Sequence, residues 1–272
     1  MENAPPPELF VREQVDGGPA VLPVAGGEAV VLSRRCPGKE TPNEDAALVL
    51  DLGGGAGLLA VADGCGGLPA GEKAAAAALA ALRERLLAPP VEPPAPWSTR
   101  VYAAFEAAAA AVGELAGPGT TLSVVLLEDG RARTLHAGDS PILVFGQRGR
   151  RRIEVVAHSP TAFAVEAGFL DERQAMVHED RHLVLNALGG EGARIEIGPP
   201  VRLRPRDTVV VASDGLSDNL LPEETIELLR AGPLQRRVEQ AAAAAAARMA
   251  AEGDGGLGHA DDLTLIAWRR RS

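Results

Sequence analysis

The feature that most constrains the fold is a series of short apolar runs bounded by glycine, proline or acidic residues, with helix-type segments grouped in pairs. Short apolar runs of this kind are typical of β-strands. Strands are predicted at 29–33, 46–51, 57–62, 121–127, 132–137, 142–145, 153–157, near 195, 208–212 and 263–268. Gly53, Gly54 and Gly55 separate two of these runs and favour a hairpin, so we expect antiparallel pairing.

Helices are predicted in two groups. Residues 70–87 and 99–115 form the first pair, and the proline-rich connector 89–96 separates them because no helix continues through such a segment. A further helical stretch is predicted at 222–251. Helices grouped in this way, rather than following every strand, argue against a parallel doubly wound sheet. We therefore expect an α+β fold: a four-layer α-β-β-α sandwich of two antiparallel sheets flanked by helical pairs.

The domain organisation is predicted to be simple. Residues 1–27 contain clustered proline and glycine without a sustained period, and we expect an irregular lead-in there. Residues 28–272 are expected to form one domain with a large core, because 46% of the chain is hydrophobic.

Charge and composition exclude several classes of protein. A net charge of -10 argues against a nucleic-acid-binding surface, and the short basic runs 148–152 and 269–271 are interpreted as solvated edges. No run is long and apolar enough for a membrane helix, and the first residues do not resemble a secretion signal. Cys36 and Cys65 are too few for a disulfide framework. We expect a cytoplasmic protein without nucleic-acid or membrane partners.

Acidic residues stand beside predicted strands at five places in the chain, often next to glycine. They are Glu44 with Asp45, Asp63 before Gly64, Asp139 after Gly138, Asp214 before Gly215, and Asp261 with Asp262. A single Asp-Gly pair most often marks a turn. Five such places indicate a shared site, and because no basic cluster matches them, bound divalent metal is the simplest compensation for their repulsion. Oxygen ligands select Mg²⁺ or Mn²⁺ over zinc.

The sequence lacks the motifs of several other catalytic classes. The five histidines, including His178 and His182, are interpreted as structural or surface residues. There is no glycine-rich loop followed by lysine, no G-x-S-x-G elbow and no Cys-x5-Arg arrangement. Of the reaction types considered, hydrolysis by an activated water molecule is the one that remains.

Seven segments, in order, resemble the motifs of the metal-dependent protein phosphatase family of the 2C type, especially its compact bacterial members. They are N-E-D at 43–45, V-A-D-G at 61–64 with Gly66 and Gly67, G-T-T-L at 119–122, H-A-G-D-S at 136–140, L-N-A-L-G at 185–189, S-D-G-L at 213–216 and D-D-L-T at 261–264. The resemblance covers nearly the whole chain after residue 28. It implies hydrolysis of phosphoserine and phosphothreonine in proteins, with phosphorylated targets of bacterial-type serine/threonine kinases as partners.

The resemblance implies a metal site with two or three Mn²⁺ or Mg²⁺ ions. Asp63 is expected to bridge two ions, the Gly64 carbonyl to bind one of them, and Asp214 and Asp261 to hold the other. Asp139, together with Asp214, matches the position of a third ion in bacterial relatives. Two such ions lower the pKa of a shared water molecule and neutralise the phosphoryl oxygens during attack.

The catalytic set implied by the resemblance is larger than the metal ligands. Glu44 and Asp45 are expected to orient metal-bound water, and together with Asp63, Asp214 and Asp261 they are the predicted catalytic residues. No covalent phosphoenzyme is expected.

One position departs from the family pattern. Members usually carry an arginine three residues before the asparagine of N-E-D, where it clamps the substrate phosphate, and this chain has Glu40 there. Lys39, Arg34 and Arg35 are the candidate replacements for phosphate binding. Glu40 leaves open a non-catalytic phosphoprotein-binding module of the same fold, and a phosphatase for small metabolites uses the same chemistry.

Overall fold

The computed structural model describes residues 7–13, 18–65, 70–89, 92–190, 192–251 and 258–270. Two antiparallel sheets form the centre of the molecule. The first contains, in spatial order, β1 (Glu8–Val11), β4 (Asp45–Gly53), β5 (Ala56–Asp63), β6 (Leu122–Glu128), β7 (Arg131–Ala137) and β10 (Glu196–Ile197), and β11 (Val201–Arg202) also pairs with β7. The second contains β2 (Ala20–Val24), β3 (Gly27–Arg34), β13 (Leu263–Arg270), β12 (Thr208–Ala212), β8 (Ile142–Phe145) and β9 (Arg151–Glu154).

Helices cover the outer face of each sheet. Helices α1 (Gly71–Leu87) and α2 (Trp97–Gly113) share a core cluster with the first sheet. Helices α6 (Pro222–Leu229) and α7 (Leu234–Met249) share another with the second sheet. Three short helices, α3 (Pro160–Glu166), α4 (Glu172–Met176) and α5 (Asp214–Ser217), lie in the connections. The predicted four-layer α+β sandwich is confirmed.

Strand β5 shows why its sequence is continuously apolar rather than alternating. Leu58, Ala60 and Ala62 belong to the cluster under α1 and α2, whereas Leu59 and Val61 belong to the cluster between the two sheets. Both faces of the strand are therefore buried, and successive residues pack alternately against the helices and against the second sheet.

The expectation of an irregular segment over 1–27 is wrong for the residues described there, because β1 and β2 form within it. Both are edge strands. Pro23 is tolerated in β2 because an edge strand leaves one side without a ladder partner. Leu9 and Leu22 pack against the cluster between the sheets, which explains why these strands form despite the surrounding prolines and glycines.

The predicted helical stretch 222–251 is two helices. It breaks between α6 and α7, where Gly232 adopts a positive φ of 95° and Pro233 precedes the first residue of α7. Proline cannot donate the backbone hydrogen bond that a continuous helix requires there. Among the described residues, no helix is both long and apolar enough to cross a membrane.

Candidate active site

The first part of the site lies where β4 begins and β5 ends. Asp45 and Asp63 are directly opposite each other in this antiparallel pair. The Asp63 backbone N–H donates to Thr121 Oγ1 at 3.2 Å, and its carbonyl accepts from Thr120 Oγ1 at 2.8 Å. The end of β5 is thus fixed to the segment that enters β6.

The second sheet delivers two further carboxylates to the same edge. Strand β12 ends at Ala212, and Asp214 follows as the first residue of α5, with its backbone N–H 3.4 Å from Asp63 Oδ2. Asp261 stands two residues before β13, the neighbour of β12. Because β12 and β13 are antiparallel, the end of one and the start of the other meet at one edge.

A serine joins the two sheets at this edge. Ser213 Oγ donates to Asp45 Oδ2 at 2.7 Å and accepts from the Thr264 backbone N–H at 2.9 Å. The hydroxyl therefore fixes the distance between β4 in the first sheet and the β12–β13 pair in the second.

Asp139 follows β7 and completes the acidic group. Its Oδ1 is buried and has no hydrogen-bond partner in the described part of the chain. Burying a carboxylate oxygen without a partner costs free energy, so a hydrogen-bond donor or a cation is expected beside it. Asp139 lines a cavity of about 690 Å³. The other acidic residues of that cavity are Glu44, Asp63, Asp214, Asp218, Asp261 and Asp262.

Burial, and after it the charges of neighbouring carboxylates, raises the pKa values of the acidic residues at this edge. Desolvation, and after it the charge of Asp139, raises the pKa of Asp214 to about 7. Desolvation and the charge of Asp214 raise the pKa of Asp261 to about 7, and desolvation raises that of Asp139 to about 6. Burial, with a further contribution from Asp214, also raises the pKa values of Asp45 and Asp63 well above their usual range. Carboxylates clustered in this way bind protons or metal cations more readily than isolated, solvated carboxylates do.

Two glycines make close approaches that a side chain would block. A Cβ at Gly64 would overlap the carbonyl carbon of Gly71, the first residue of α1. A Cβ at Gly215 would lie closer still to the Asp262 carbonyl oxygen. Both glycines follow an aspartate of the site, so they allow α1 and the segment before β13 to close around the carboxylates.

The candidate phosphate-binding residues have different environments. Lys39 Nζ lies 2.8 Å from Glu44 Oε2 and 2.6 Å from Asp262 Oδ2, beside the acidic cavity. Arg35 bonds the carbonyls of Glu40 and Thr41 at the surface and pairs with Glu13. Arg34 is exposed at the end of β3 and does not line the acidic cavity. Of the three, Lys39 is the one that contacts residues of the site.

Asp218 was not singled out from the sequence, and Asp262 was named there only beside Asp261, without a role of its own. Asp218 stands four residues after Asp214, and its backbone N–H donates to the Asp214 carbonyl at 2.7 Å, which places both at the same helical turn. Asp262 accepts from the backbone N–H groups of Cys36 and Glu44, each at 2.8 Å. The i, i+4 spacing of Asp214 and Asp218 is the signal that could have found the first.

A second group of potential metal ligands consists of His136, His158 and Glu196, whose ligand atoms lie within 4.8 Å of one another. The two buried imidazoles stack, with ring centroids 4.5 Å apart. His158 Nδ1 accepts from the Gly138 backbone N–H at 3.1 Å and from Asn186 Nδ2 at 2.8 Å. His158 therefore carries its proton on Nε2, facing Glu196, and offers no free lone pair to a metal there. We interpret the group as a hydrogen-bonded support for the Gly138–Asp139 turn.

Residues 34–252 match the family model described as protein phosphatase 2C. The chain belongs to the protein phosphatase 2C family. The matched range includes the candidate site residues from Glu44 to Asp218 and ends before Asp261.

Individual relatives agree with this assignment. The chain is 31% identical over 199 residues to the serine/threonine protein phosphatase PstP of Mycobacterium tuberculosis, which covers 69% of this chain and 36% of that protein. The chain therefore spans little more than a third of the length of that relative.

Solved structures share the fold. The PPM Ser-Thr phosphatase MsPP of Mycobacterium smegmatis, solved with cacodylate, has a TM-score of 0.72 at 26% identity and covers 89% of this chain and 98% of its own. The PstP catalytic domain, solved with two manganese ions, has a TM-score of 0.70 at 24% identity and covers 89% of this chain and 96% of its own.

Proposed function

We propose that this chain is a metal-dependent serine/threonine protein phosphatase that hydrolyses phosphoserine and phosphothreonine in proteins. The observation that carries the proposal is the convergence of Asp63, Asp139, Asp214 and Asp261 on one cavity in a member of the protein phosphatase 2C family.

The carboxylates at this edge fit divalent cations. Burial and then the neighbouring carboxylates raise the pKa values of Asp139 and Asp214, and Asp139 Oδ1 is buried without a partner in the described residues. All of the proposed donors are oxygens, which suits Mn²⁺ or Mg²⁺. We assign Asp63, the Gly64 carbonyl, Asp139, Asp214 and Asp261 as the ligands of two or three ions. The manganese ions of the PstP catalytic domain agree with this proposal.

When bound, such ions supply positive charge that lowers the pKa of a water molecule and offsets the charge of the phosphoryl oxygens. The protein positions the reactants. Glu44, whose Oε2 accepts a hydrogen bond from Lys39, lines the acidic cavity and is placed to accept a hydrogen bond from water there. Asp45 is buried and does not line this cavity; held by Ser213 and opposite Asp63, it adds negative charge beside the proposed ligands. Lys39 places a positive charge beside this edge, and that charge favours binding of a phosphate group over binding of neutral ligands.

We extend the proposal to the substrate and the location. A cavity of about 690 Å³ that opens to solvent admits a phosphorylated side chain presented by a protein. Proteins phosphorylated by bacterial-type serine/threonine kinases are the proposed partners. Neither Cys36 nor Cys65 forms a disulfide in the described structure, which agrees with a cytoplasmic location.

A substrate panel tests this function against the alternatives. Purified protein with Mn²⁺ is expected to release phosphate from phosphoserine and phosphothreonine peptides faster than from sugar phosphates or nucleotides at equal concentration. The Asp63→Asn variant controls for contaminating phosphatases. Faster turnover of small metabolites would favour a metabolite phosphatase. Tight binding of phosphopeptide without phosphate release, with metal present, would favour a binding module.

A further inference from the structure

A basic cavity lies at the end of the sandwich opposite the acidic cavity. The β6–β7 hairpin, the start of β12 and the end of β13 meet there, whereas the carboxylates lie at the other ends of these strands. The cavity has a volume of about 740 Å³. Its lining residues are Asp129, Gly130, Arg152, Arg202, Leu203, Arg204, Pro205 and Arg270, a set we call the arginine cavity.

Fixed backbone carries the arginines of this cavity. Arg202 is in β11, and the buried Leu203 that follows donates its N–H to the Gly130 carbonyl at 2.8 Å. The Arg204 backbone N–H donates to Asp207 Oδ2 at 2.7 Å in the turn before β12. Arg270 ends β13, and a Cβ at Gly130 would lie 3.5 Å from its Nη1. The side chains thus extend from three anchored elements toward one space.

The positive charges of the arginine cavity are only partly balanced by the residues that the structure describes. Arg152 pairs with the buried Asp207 at 3.1 Å. Arg202, Arg204 and Arg270 are exposed and form no ion pair with the described part of the chain. With Asp129 and Asp207 subtracted from the four arginines, a surplus of two positive charges remains, on a chain whose net charge is -10.

An anion would relieve the repulsion among these guanidinium groups. Arginine presents a planar fork of donors that matches phosphate oxygens in bidentate contacts. The cavity is concave and has the volume of a typical small-molecule site. Nucleic acid requires an extended basic surface, which a local cavity on a chain of net charge -10 does not provide. We propose that the arginine cavity binds a small molecule carrying two or more phosphate groups.

The proposal is tested by calorimetric titration of inorganic tripolyphosphate into protein freed of divalent metal with chelator. Without metal the acidic cavity repels polyphosphate, so binding reports on the arginine cavity alone and does not depend on phosphatase activity. At ~150 mM salt, diffuse surface attraction is largely screened. We expect one site per chain with a dissociation constant of about 100 μM or lower. Citrate, which carries three carboxylates, is the second titrant and is expected to bind at least about tenfold more weakly.

The Arg202→Gln/Arg204→Gln double variant is expected to weaken tripolyphosphate binding about tenfold or more, because it removes two charge-assisted donors. Arg270→Gln is a second, independent variant on another strand. The matched control is Arg148→Gln/Arg150→Gln, which removes the same charge from exposed arginines outside the cavity. Absence of a one-site isotherm, equal weakening in the control, or equal affinity for citrate would each overturn the proposal.

Discussion

Lys39 Nζ lies 2.6 Å from Asp262 Oδ2, and this ion pair joins the loop after β3 to the segment that enters β13. The Asp262 carboxylate also accepts the backbone N–H groups of Cys36 and Glu44. Burial lowers the pKa of Lys39, but the hydrogen bonds to Asp262 and Glu44 outweigh that effect and raise it above its usual value. Lys39 therefore remains charged and holds Glu44 at the edge of the acidic cavity.

Lys39→Ala is expected to destabilise the protein by about 1 to 3 kcal/mol, because it leaves the buried Asp262 carboxylate without its cation. It is also expected to raise KM for a phosphopeptide. Chemical denaturation and steady-state kinetics measure the two effects. The control is Lys73→Ala, the other lysine of the chain, which is exposed on α1. Equal effects of the two variants would show that the ion pair contributes nothing specific.

Glu40→Arg is expected to change kcat/KM by no more than about twofold, since Glu40 is exposed and does not line the acidic cavity. The sequence alone favours a larger effect, because Glu40 stands where the family carries a phosphate-clamping arginine. Steady-state kinetics with a phosphopeptide distinguish the two expectations. A gain in kcat/KM of about tenfold would show that the side chain at position 40 contacts the substrate phosphate.

Asp214→Asn is expected to lower kcat by about 10³-fold or more, because it removes one charge from the proposed metal site without changing the side-chain shape. Asp129→Asn, at the opposite end of the sandwich, is the matched control. Circular dichroism checks that both variants fold. A loss of kcat below about tenfold in Asp214→Asn would show that the reaction takes place at another site.

Asp139→Ala is expected to reduce the number of Mn²⁺ sites by one while the fold persists, because Asp139 Oδ1 is buried without a partner among the described residues and is available to an ion. Turnover is expected to fall with it. Calorimetric titration with Mn²⁺ counts the sites. An unchanged count together with unchanged turnover would make Asp139 a turn residue only.

The metal-free protein is expected to lose stability as the pH rises from about 5.5 to about 8. The pKa values of Asp139, Asp214 and Asp261 are raised to about 6, about 7 and about 7. The folded state binds more protons than the unfolded state in this window, so the free energy of unfolding falls as those protons leave. Thermal melts in chelator measure this slope. Saturating Mn²⁺ is expected to flatten it, and a rise in stability with pH in chelator would contradict the account.

The edge where the site forms follows from the sequence, because apolar runs such as 58–62 and 209–212 are buried strands and each is followed closely by an aspartate. Antiparallel pairing then brings the ends together. The two early strands were missed because both are short edge strands and β2 contains Pro23, and only contacts with the distant inter-sheet core show that they form. The break at Gly232 was hidden by the long alanine-rich stretch that follows it.

The orientation of the basic residues could not be predicted. Lys39 lies in the loop beyond Arg34, where β3 has ended and alternation no longer determines which way a side chain points. The support of the Gly138–Asp139 turn by His158 depends on contacts between distant segments, which residue spacing does not reveal.

Release of phosphate from a phosphothreonine peptide, measured with Mn²⁺ and again with excess chelator, tests whether the reaction depends on metal held by the carboxylates. We expect turnover with Mn²⁺, loss of that turnover in chelator, and recovery when Mn²⁺ is restored, because the converging carboxylates of Asp63, Asp214 and Asp261 require cations to bind a phosphate dianion. Full activity in excess chelator would contradict this expectation.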